Sequence, residues 1–320
     1  MNDTMHIGVM MHFTDHTATP ADVAVAAEER GFESMFATEH THIPVRDFIT
    51  WWGGQAMPEE YKRLHDPLIG LATAAAVTSK IKLGTGILVL AQREPLATAK
   101  QLASLDRLSG GRLICGVGYG WQADELADHG VVWADRKPAL REHIQAVRAL
   151  WADDEAAHHG ARIQFGPCWS YPKPIQQPGP PMLLGAAGSD TALRDVIAHC
   201  DGWMPIEGTE PIPQRWERLK GLAAETGQDP REIELTIYGP PANRPLSKDI
   251  ARRGRIEWSS GSTAVPGSTA SNANSTVIWS RLVGTTSSDA TDQSTAPTSM
   301  SGRAAGVSAS RPTASVISRP

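Results

Sequence analysis

Leu-Leu-Gly-Ala-Ala-Gly-Ser, residues 183–189, is a short apolar run that leads through a glycine turn into a helix. A strand, two glycines and a helix N-terminus together form a cradle for phosphate, because exposed backbone N–H groups and the positive end of the helix dipole face the same point. The same residues also make an ordinary tight connection between a strand and a helix. A phosphate cradle late in a chain of alternating strands and helices is typical of a (β/α)8 barrel that holds a phosphorylated cofactor.

The first two thirds of the chain alternate between apolar strands and helices. The predicted strands are His6–Met11, Ser34–Thr38, Ile81–Leu90, Arg112–Val117, Met182–Leu184, Gly202–Met204 and Ile233–Tyr238. The predicted helices are Pro20–Arg30, Pro67–Thr78, Pro95–Leu108, Lys137–Trp151, Thr191–His199 and Gln214–Thr226. This pattern is typical of a parallel sheet covered by helices on both faces, and the number of strands favours closure. The sequence therefore predicts an α/β fold, a (β/α)8 TIM barrel, whose last strand–helix unit is lost or replaced.

The composition changes abruptly after about residue 243. Serine and threonine make up about a third of residues 243–320, and large apolar residues become sparse. Such a segment buries too little apolar surface to offset the entropy of ordering it. We therefore predict a barrel domain over residues 1–242, incomplete at its C-terminal end, and a low-complexity disordered tail over 243–320. The tail is either natural or the product of a frameshift, since the neighbouring reading frame around Trp258 permits an apolar run where an eighth strand is expected.

Bulk properties narrow the class of protein. The formal net charge of −5 over 320 residues gives no reason to expect nucleic acid or an anionic membrane as a partner. Three scattered cysteines are too few for a disulfide framework, and the N-terminal residues do not resemble a signal peptide. These observations predict a protein of the reducing cytoplasm.

In a (β/α)8 barrel, functional residues gather at the C-terminal ends of the strands. The second predicted strand ends in Thr-Glu-His-Thr-His, residues 38–42. The two imidazoles and the carboxylate of Glu39 can act as general acid or base, and imidazole titrates near neutral pH. His40 is therefore the leading candidate, whereas the alternative for His42 is a surface loop residue. The spacing of the two histidines also permits a metal site, but no further ligand cluster is evident, and we predict none.

Glycines mark the ends of the third and fourth predicted strands, in Gly-Thr-Gly-Ile (84–87) and Gly-Val-Gly-Tyr-Gly-Trp (116–121). Within a strand, glycine indicates a bulge or a close approach of the backbone to a ligand, and tight packing against a neighbouring helix is the alternative. The aromatic rings at 119 and 121 can lie against a planar cofactor. The segment 43–65 is either a lid over the site or a dimer contact.

The motifs of the chain form a recognisable combination over about residues 5–240. They are Gly-Phe-Glu-Ser (31–34), Thr-Glu-His-Thr-His-Ile-Pro (38–44), Leu-Gly-Thr-Gly (83–86), Leu-Asp-Arg-Leu-Ser-Gly-Gly-Arg (105–112), Gly-Val-Gly-Tyr-Gly-Trp (116–121), Asp-His-Gly-Val (128–131), Phe-Gly-Pro-Cys-Trp-Ser-Tyr-Pro-Lys-Pro (165–174), Leu-Leu-Gly-Ala-Ala-Gly (183–188) and Ala-His-Cys-Asp-Gly-Trp-Met-Pro (198–205). In combination they resemble the bacterial luciferase-like family, and most closely its actinobacterial branch of coenzyme F420-dependent oxidoreductases.

The resemblance implies a barrel that binds a flavin or deazaflavin at the C-terminal ends of its strands. It implies a non-prolyl cis peptide bond at Gly86–Ile87, where the backbone bulges against the cofactor ring. His40 then faces the reactive edge of the ring and moves protons. The cofactor-binding residues that the resemblance implies are Gly86, Ile87, Gly118, Tyr119 and Trp121, with Gly185, Gly188 and Ser189 at the phosphate end.

The activity that the resemblance implies is that of an F420-dependent oxidoreductase, which transfers a hydride between the deazaflavin C5 and a small organic substrate. A reduced-FMN monooxygenase is the alternative, and an inactive remnant of a disrupted gene or a non-catalytic cofactor binder is a second one. Family members are usually homodimers, and they close the barrel with an eighth strand and a helix. Loss of that unit exposes a sheet edge and core surface, which predicts poor solubility or impaired folding.

Overall fold

The strands and helices follow one another in the alternating order that the sequence predicts. The structure, a computed structural model, describes residues 5–45, 57–209, 211–241 and 275–281, with the backbone alone for residues 5, 239–241 and 275–281. The strands are β1 (Met5–Met11), β2 (Ser34–Ala37), β3 (Lys82–Thr85), β4 (Leu113–Gly118), β5 (Ala156–His159), β6 (Gln164–Cys168), β7 (Met182–Gly185), β8 (Gly202–Trp203), β9 (Glu234–Pro241) and β10 (Ser275–Arg281). The helices are α1 (Pro20–Glu29), α2 (Pro67–Val77), α3 (Pro95–Leu108), α4 (Ala123–Asp128), α5 (Arg136–Ala152), α6 (Asp190–His199) and α7 (Ile212–Glu225).

Eight of the strands form a closed barrel in the order β1-β10-β9-β8-β7-β4-β3-β2. Within the barrel, each pair of neighbours among β1, β2, β3, β4, β7, β8 and β9 runs parallel, as expected when helices connect successive strands. Hydrophobic residues fill two clusters, one between the barrel and its helices and a smaller one inside the barrel. The α/β barrel that the sequence predicts is therefore confirmed.

The eighth barrel position is filled by an antiparallel strand. β10 pairs with β1, from Met5 opposite Arg281 to Met11 opposite Ser275, and with β9 on its other side. A regular (β/α)8 barrel has a parallel strand at this place. An antiparallel strand thus stands in the place of the predicted parallel one, and the loss of the helix that belongs to the last unit stays a prediction. The rest of 243–320 lies outside the described residues, so the disordered tail, its boundary and the impaired folding stay predictions.

The third predicted strand, Ile81–Leu90, is wrong in its length. β3 ends at Thr85, and the chain then bulges before Leu88 bonds to β4 through its N–H and the carbonyl of Gly116, 2.7 Å apart. The peptide bond between Gly86 and Ile87 is cis, as the resemblance implies. The apolar run continues through the bulge because these residues are packed in the barrel, so apolar content alone does not reveal where the strand ends.

The sequence did not predict the hairpin of β5 and β6 or the helix α4. β5 and β6 form a separate two-stranded sheet, and their residues Ala-Ala-His-His and Gln-Phe-Gly-Pro-Cys lack the alternation of a half-buried strand. α4 has six residues, too few for a helical period to be recognised, and Gln122 caps its N-terminus. Among the described residues, no helix is long and apolar enough to cross a membrane.

The side chain of Ile87 occupies space that glycines leave free at the ends of two strands. A Cβ added at Gly118 would lie 1.8 Å from Cδ1 of Ile87, and one added at Gly185 would lie 2.5 Å from its Cγ2. Gly86 itself lies under the hydroxyl of Tyr238, which a Cβ would approach to 1.9 Å. Three of the glycines that the resemblance assigns to cofactor binding therefore allow close packing of the bulge.

We expect Gly118→Ala to lower the free energy of unfolding by about 1–3 kcal/mol, because its methyl group overlaps Cδ1 of Ile87. Ile87→Val removes that atom, so the double variant should be more stable than Gly118→Ala alone. Denaturant unfolding measures both, with Gly166→Ala as the control because nothing lies within 4 Å of a Cβ at Gly166. Equal stability of Gly118→Ala and the wild type would contradict this account.

Candidate active site

Four rings meet at the C-terminal ends of the first strands. His12 follows β1 directly, His40 lies three residues after β2, and Trp121 follows β4. The Tyr61 ring lies 4.9 Å from that of His12 and 5.5 Å from that of His40, and the ring of Trp121 contacts His40 edge-on at 5.2 Å. Four separate segments of the chain thus bring two imidazoles and two larger aromatic rings to one end of the barrel.

His40 is held by a buried carboxylate. Its Nδ1 lies 2.6 Å from Oε2 of Glu125 on α4, and the side chains of His40 and Glu125 are 6% and 1% exposed. Because a carboxylate only accepts hydrogen bonds, Nδ1 carries the hydrogen of this contact. The carboxylate therefore fixes the orientation of the imidazole and leaves Nε2 as the nitrogen that can exchange a proton.

The second oxygen of Glu125 holds the backbone next to His40. Oε1 accepts hydrogen bonds from the Thr41 N–H at 2.8 Å and from the Thr41 hydroxyl at 3.1 Å. Burial acts to raise the pKa of Glu125, but the hydrogen bond and charge of His40 and the Thr41 N–H outweigh it and leave the pKa below its ordinary value. Glu125 is therefore an anion at neutral pH, and it ties the end of β2 to α4.

Burial shifts the pKa values of His12 and Tyr61, the two rings that lie together beside His40. Burial lowers the pKa of His12, and His40 acts in the same direction although Glu60 opposes it. Burial raises the pKa of the Tyr61 phenol, with a further contribution from Glu60. Both groups are neutral near neutral pH. The site therefore combines one imidazole bound to a carboxylate with one neutral imidazole.

A second buried carboxylate, Glu39, fixes the chain after the bulge. Its Oε2 accepts a 2.6 Å hydrogen bond from the Val89 N–H, and its Oε1 accepts one of 2.6 Å from Nε of Arg93. The guanidinium of Arg93 continues to Asp66, which caps the N-terminus of α2. Glu39 and His40 are adjacent, so the loop after β2 positions both the imidazole and the segment that follows Ile87.

The other residues predicted to bind a cofactor divide between the barrel mouth and the surrounding helices. Trp121 lies against His40, and Ile87 is half-buried and packs against the interior cluster. The Tyr119 hydroxyl instead donates a 2.6 Å hydrogen bond to Asp195 on α6, and its ring packs in the cluster between barrel and helices. The structure thus brings His40, Ile87 and Trp121 to the mouth and directs the Tyr119 side chain away from it.

The opening motif, residues 183–189, is a strand end followed by a capped helix. The Ser189 side chain accepts from the Ala192 N–H and caps α6, and the indole N–H of Trp203 holds the carbonyl of Ala186 at 2.9 Å. Asp190 adds a negative charge to the first turn, but Arg218 pairs with it at 2.7 Å. The strand, turn and helix predicted from the sequence are all present. Binding of phosphate by Gly185, Gly188 and Ser189 stays a prediction.

Two hydroxyl groups at this end of the barrel are buried without a hydrogen-bond partner. Among the residues whose side chains are described, these include Oγ1 of Thr38, next to Glu39, and the hydroxyl of Tyr238, which lies over Gly86. A buried polar group without a partner costs free energy, so such groups are expected where a ligand completes the hydrogen bonding. Both hydroxyls therefore fit a bound molecule with polar edges.

A cavity of about 400 Å³ opens at the opposite end of the barrel. It is lined by Lys82, Arg112 and Glu234 among others, which lie where strands begin. The Arg112 guanidinium is occupied by oxygen atoms of the α2–β3 connection, and Lys82 pairs with Glu33 at 2.7 Å. The charged groups that line this cavity hold neighbouring loops together, so we assign no catalytic role to the cavity.

Sequence reasoning missed His12, Tyr61 and Glu125 as members of the site. His12 carried a usable signal, since it comes just after the end of a predicted strand, as His40 does within two residues. Glu125 did not, because its helix is too short to be recognised and its partner lies 85 residues earlier. Tyr61 lies in the insertion 43–65, of which residues 46–56 fall outside the described part, so its role as lid or dimer contact stays open.

We expect Glu125→Gln to lower the free energy of unfolding by about 1.5–3 kcal/mol, because the amide replaces a charge-assisted hydrogen bond to His40 with a neutral one. Asp124→Asn on the same short helix is the matched control and should change it by less than about 0.5 kcal/mol. Urea unfolding at neutral pH measures both variants. A Glu125→Gln protein as stable as its Asp124→Asn counterpart would show that the pair does not stabilise the fold.

Comparison with known proteins gives the site its context. An uncharacterized protein of Mycobacterium tuberculosis is 39% identical over 242 residues, which cover 74% of this chain and 86% of that protein. An FMNH2-dependent dimethylsulfone monooxygenase of Pseudomonas putida is 32% identical over 48% of this chain and 42% of its own length. An F420-dependent glucose-6-phosphate dehydrogenase of Kineococcus radiotolerans is 29% identical over 68% of this chain and 63% of its own length.

The chain spans less than two thirds of the second and third of these relatives, so their activities are not transferred to it. A family model described as luciferase-like monooxygenase matches residues 4–300. That range contains the whole barrel, with His40, Glu125 and the bulge at Gly86–Ile87. The chain belongs to the luciferase-like monooxygenase family.

Proposed function

We propose that this protein is an F420-dependent oxidoreductase that transfers a hydride between the deazaflavin C5 and a small organic substrate. The observation that carries the proposal is the His40–Glu125 pair at the barrel mouth, where a fixed imidazole lies beside two aromatic rings. Reduction of a carbonyl compound by hydride needs a proton for the oxygen, and oxidation of an alcohol needs a base for its hydroxyl. An imidazole in this position serves either direction.

The residues at the mouth fit a planar cofactor with polar edges. Ile87 offers an apolar surface, and the buried hydroxyls of Thr38 and Tyr238 lack partners in the described part of the chain. The turn 185–189 and the N-terminus of α6 would hold the phosphate. When bound, the deazaflavin supplies or accepts the hydride, and the protein supplies orientation and electrostatics.

The side chains at the mouth would move the proton, exclude water and orient the substrate. Glu125 holds Nδ1 of His40, so Nε2 donates or accepts the proton. The buried carboxylate also stabilises the imidazolium when it forms. Tyr61 and Trp121 pack against His40 and exclude water from its faces. His12, which is neutral, can donate a hydrogen bond to a substrate oxygen without adding charge.

A reduced-FMN monooxygenase is the alternative function, and the likeness to the dimethylsulfone monooxygenase supports it. The two functions differ in the reaction with oxygen, because a deazaflavin disfavours it and reduced FMN reacts with it. A cofactor binder without activity is the second alternative, and it requires no role for His40. A cytoplasmic location and a homodimer belong to the proposal in either case.

We expect F420 to quench the tryptophan fluorescence of the full chain in a saturable titration, because Trp121 lies at the mouth. Trp121→Phe should remove most of the change, whereas Trp169→Phe should keep it because Trp169 is 75% exposed on the surface. FMN is titrated in parallel. Preferred binding of FMN, with oxygen uptake once it is reduced, would overturn the proposal in favour of the alternative. Binding of neither cofactor would contradict both.

We expect His40→Asn to lower kcat by about 100- to 10,000-fold while leaving the Kd for F420 nearly unchanged. The Asn amide can still donate a hydrogen bond to Glu125, but it cannot exchange a proton. Oxidation of reduced F420 is followed with a panel of small ketones, aldehydes and enones. His16→Asn is the control, since the His16 side chain is 64% exposed. Unchanged turnover in His40→Asn would remove His40 from the mechanism.

A further inference from the structure

A second cluster of titratable side chains lies on the far side of Glu125 from His40. One nitrogen of His42, one nitrogen of His129 and one carboxylate oxygen of Glu125 lie within 4.8 Å of one another. His42 comes from the loop after β2, whereas Glu125 and His129 are four residues apart at α4 and its C-cap. Residues four apart on a helix share a face, so the two segments bring three possible metal ligands together.

The hydroxyl of Thr41 lies at the centre of this cluster. Its Oγ1 is 2.7 Å from Nε2 of His129 and 3.0 Å from Nδ1 of His42. It is also 3.1 Å from Oε1 of Glu125. A threonine hydroxyl carries one hydrogen, so it can donate to one of these three neighbours.

His42 and Glu125 both present acceptor atoms to this hydroxyl. Nε2 of His42 lies 3.1 Å from Oδ2 of Asp128 and must carry the hydrogen there, because the carboxylate cannot. A neutral His42 then turns the lone pair of Nδ1 toward Thr41. Glu125 is an anion whose Oε1 already accepts from the Thr41 N–H. The cluster thus concentrates lone pairs and negative charge at one point, which is an arrangement that attracts a cation.

We propose that His42, Glu125 and His129 bind a divalent transition-metal ion such as Zn²⁺, Co²⁺ or Ni²⁺. Two imidazole nitrogens and one carboxylate oxygen are a common donor set for these ions, whereas Mg²⁺ and Ca²⁺ prefer oxygen donors alone. The contact from His42 to Asp128 is the kind of second contact that orients a metal-binding imidazole. This proposal replaces the expectation from the sequence that no metal binds.

The geometry requires only a small adjustment. Metal–ligand bonds of about 2.0–2.2 Å in a tetrahedral site hold the donor atoms about 3.5 Å apart. The three donors lie within 4.8 Å of one another, so they must close in by no more than about 1.3 Å. His42 and His129 are exposed, so both rings can turn and the ion can enter from solvent. The Thr41 hydroxyl or a water completes the fourth position.

The experiment uses the full chain without an affinity tag, stripped with EDTA and free of organic cofactor, so its result does not depend on the proposed function. Co²⁺ is added and its visible absorption is followed, since tetrahedral Co²⁺ absorbs far more strongly than the hydrated ion, and Zn²⁺ binding is measured by calorimetry. We expect one ion per chain. His42→Gln and His129→Gln should each weaken binding at least tenfold, whereas His159→Gln, an exposed histidine on β5, should bind as the wild type does.

A second readout is the unfolding temperature, which Zn²⁺ should raise in the wild type and in His159→Gln but not in the two site variants. Circular dichroism without metal establishes that each variant is folded, and either site variant alone suffices for the comparison. Absence of stoichiometric binding by the wild type would overturn the proposal. Equal affinity of wild type, His42→Gln and His129→Gln would overturn it as well.

Discussion

The seating of the Ile87 side chain is the constraint on which the mouth of the barrel depends. It fills the space beside Gly118 and Gly185, while Gly86 lies under the hydroxyl of Tyr238. The residues belong to or directly follow β3, β4, β7 and β9, so one packing arrangement links four of the eight strands at the end where the site lies. Close-packed interiors have no room for an added methyl group here, so the positions of these strand ends are set together.

Two buried carboxylates hold the loops that follow these strand ends. Glu39 holds the segment after the bulge through Val89 and Arg93, and Glu125 holds His40 and Thr41 from α4. Each is removed from water and each has several hydrogen-bond donors around it, which is what a buried charge requires. The site is therefore fixed by polar contacts between loops that the apolar barrel brings close together.

The glycines illustrate how far sequence reasoning reached. Gly86, Gly118 and Gly185 were recognised as positions where the backbone must come close to something, and that is correct as geometry. For these three the close neighbours in the structure are Ile87 and Tyr238. Sequence cannot make this distinction, because a missing side chain leaves the same pattern whether a ligand or a neighbouring strand fills the space.

By itself the sequence determined the alternation of strands and helices, the barrel that they form and the strand end that carries His40, because periodicity and composition report local burial directly. The tertiary structure alone decided which groups meet His40. Glu125, Tyr61 and Trp121 are far from it along the chain, and α4 is too short to leave a periodic signal. It also decided that Tyr119 bonds to Asp195 and that His42 meets His129 across Thr41. The physical reason is the same in each case. Packing decides where the strand ends lie, and the hydrogen bonds and ring contacts between loops depend on those positions. Spacing along the chain does not reveal them.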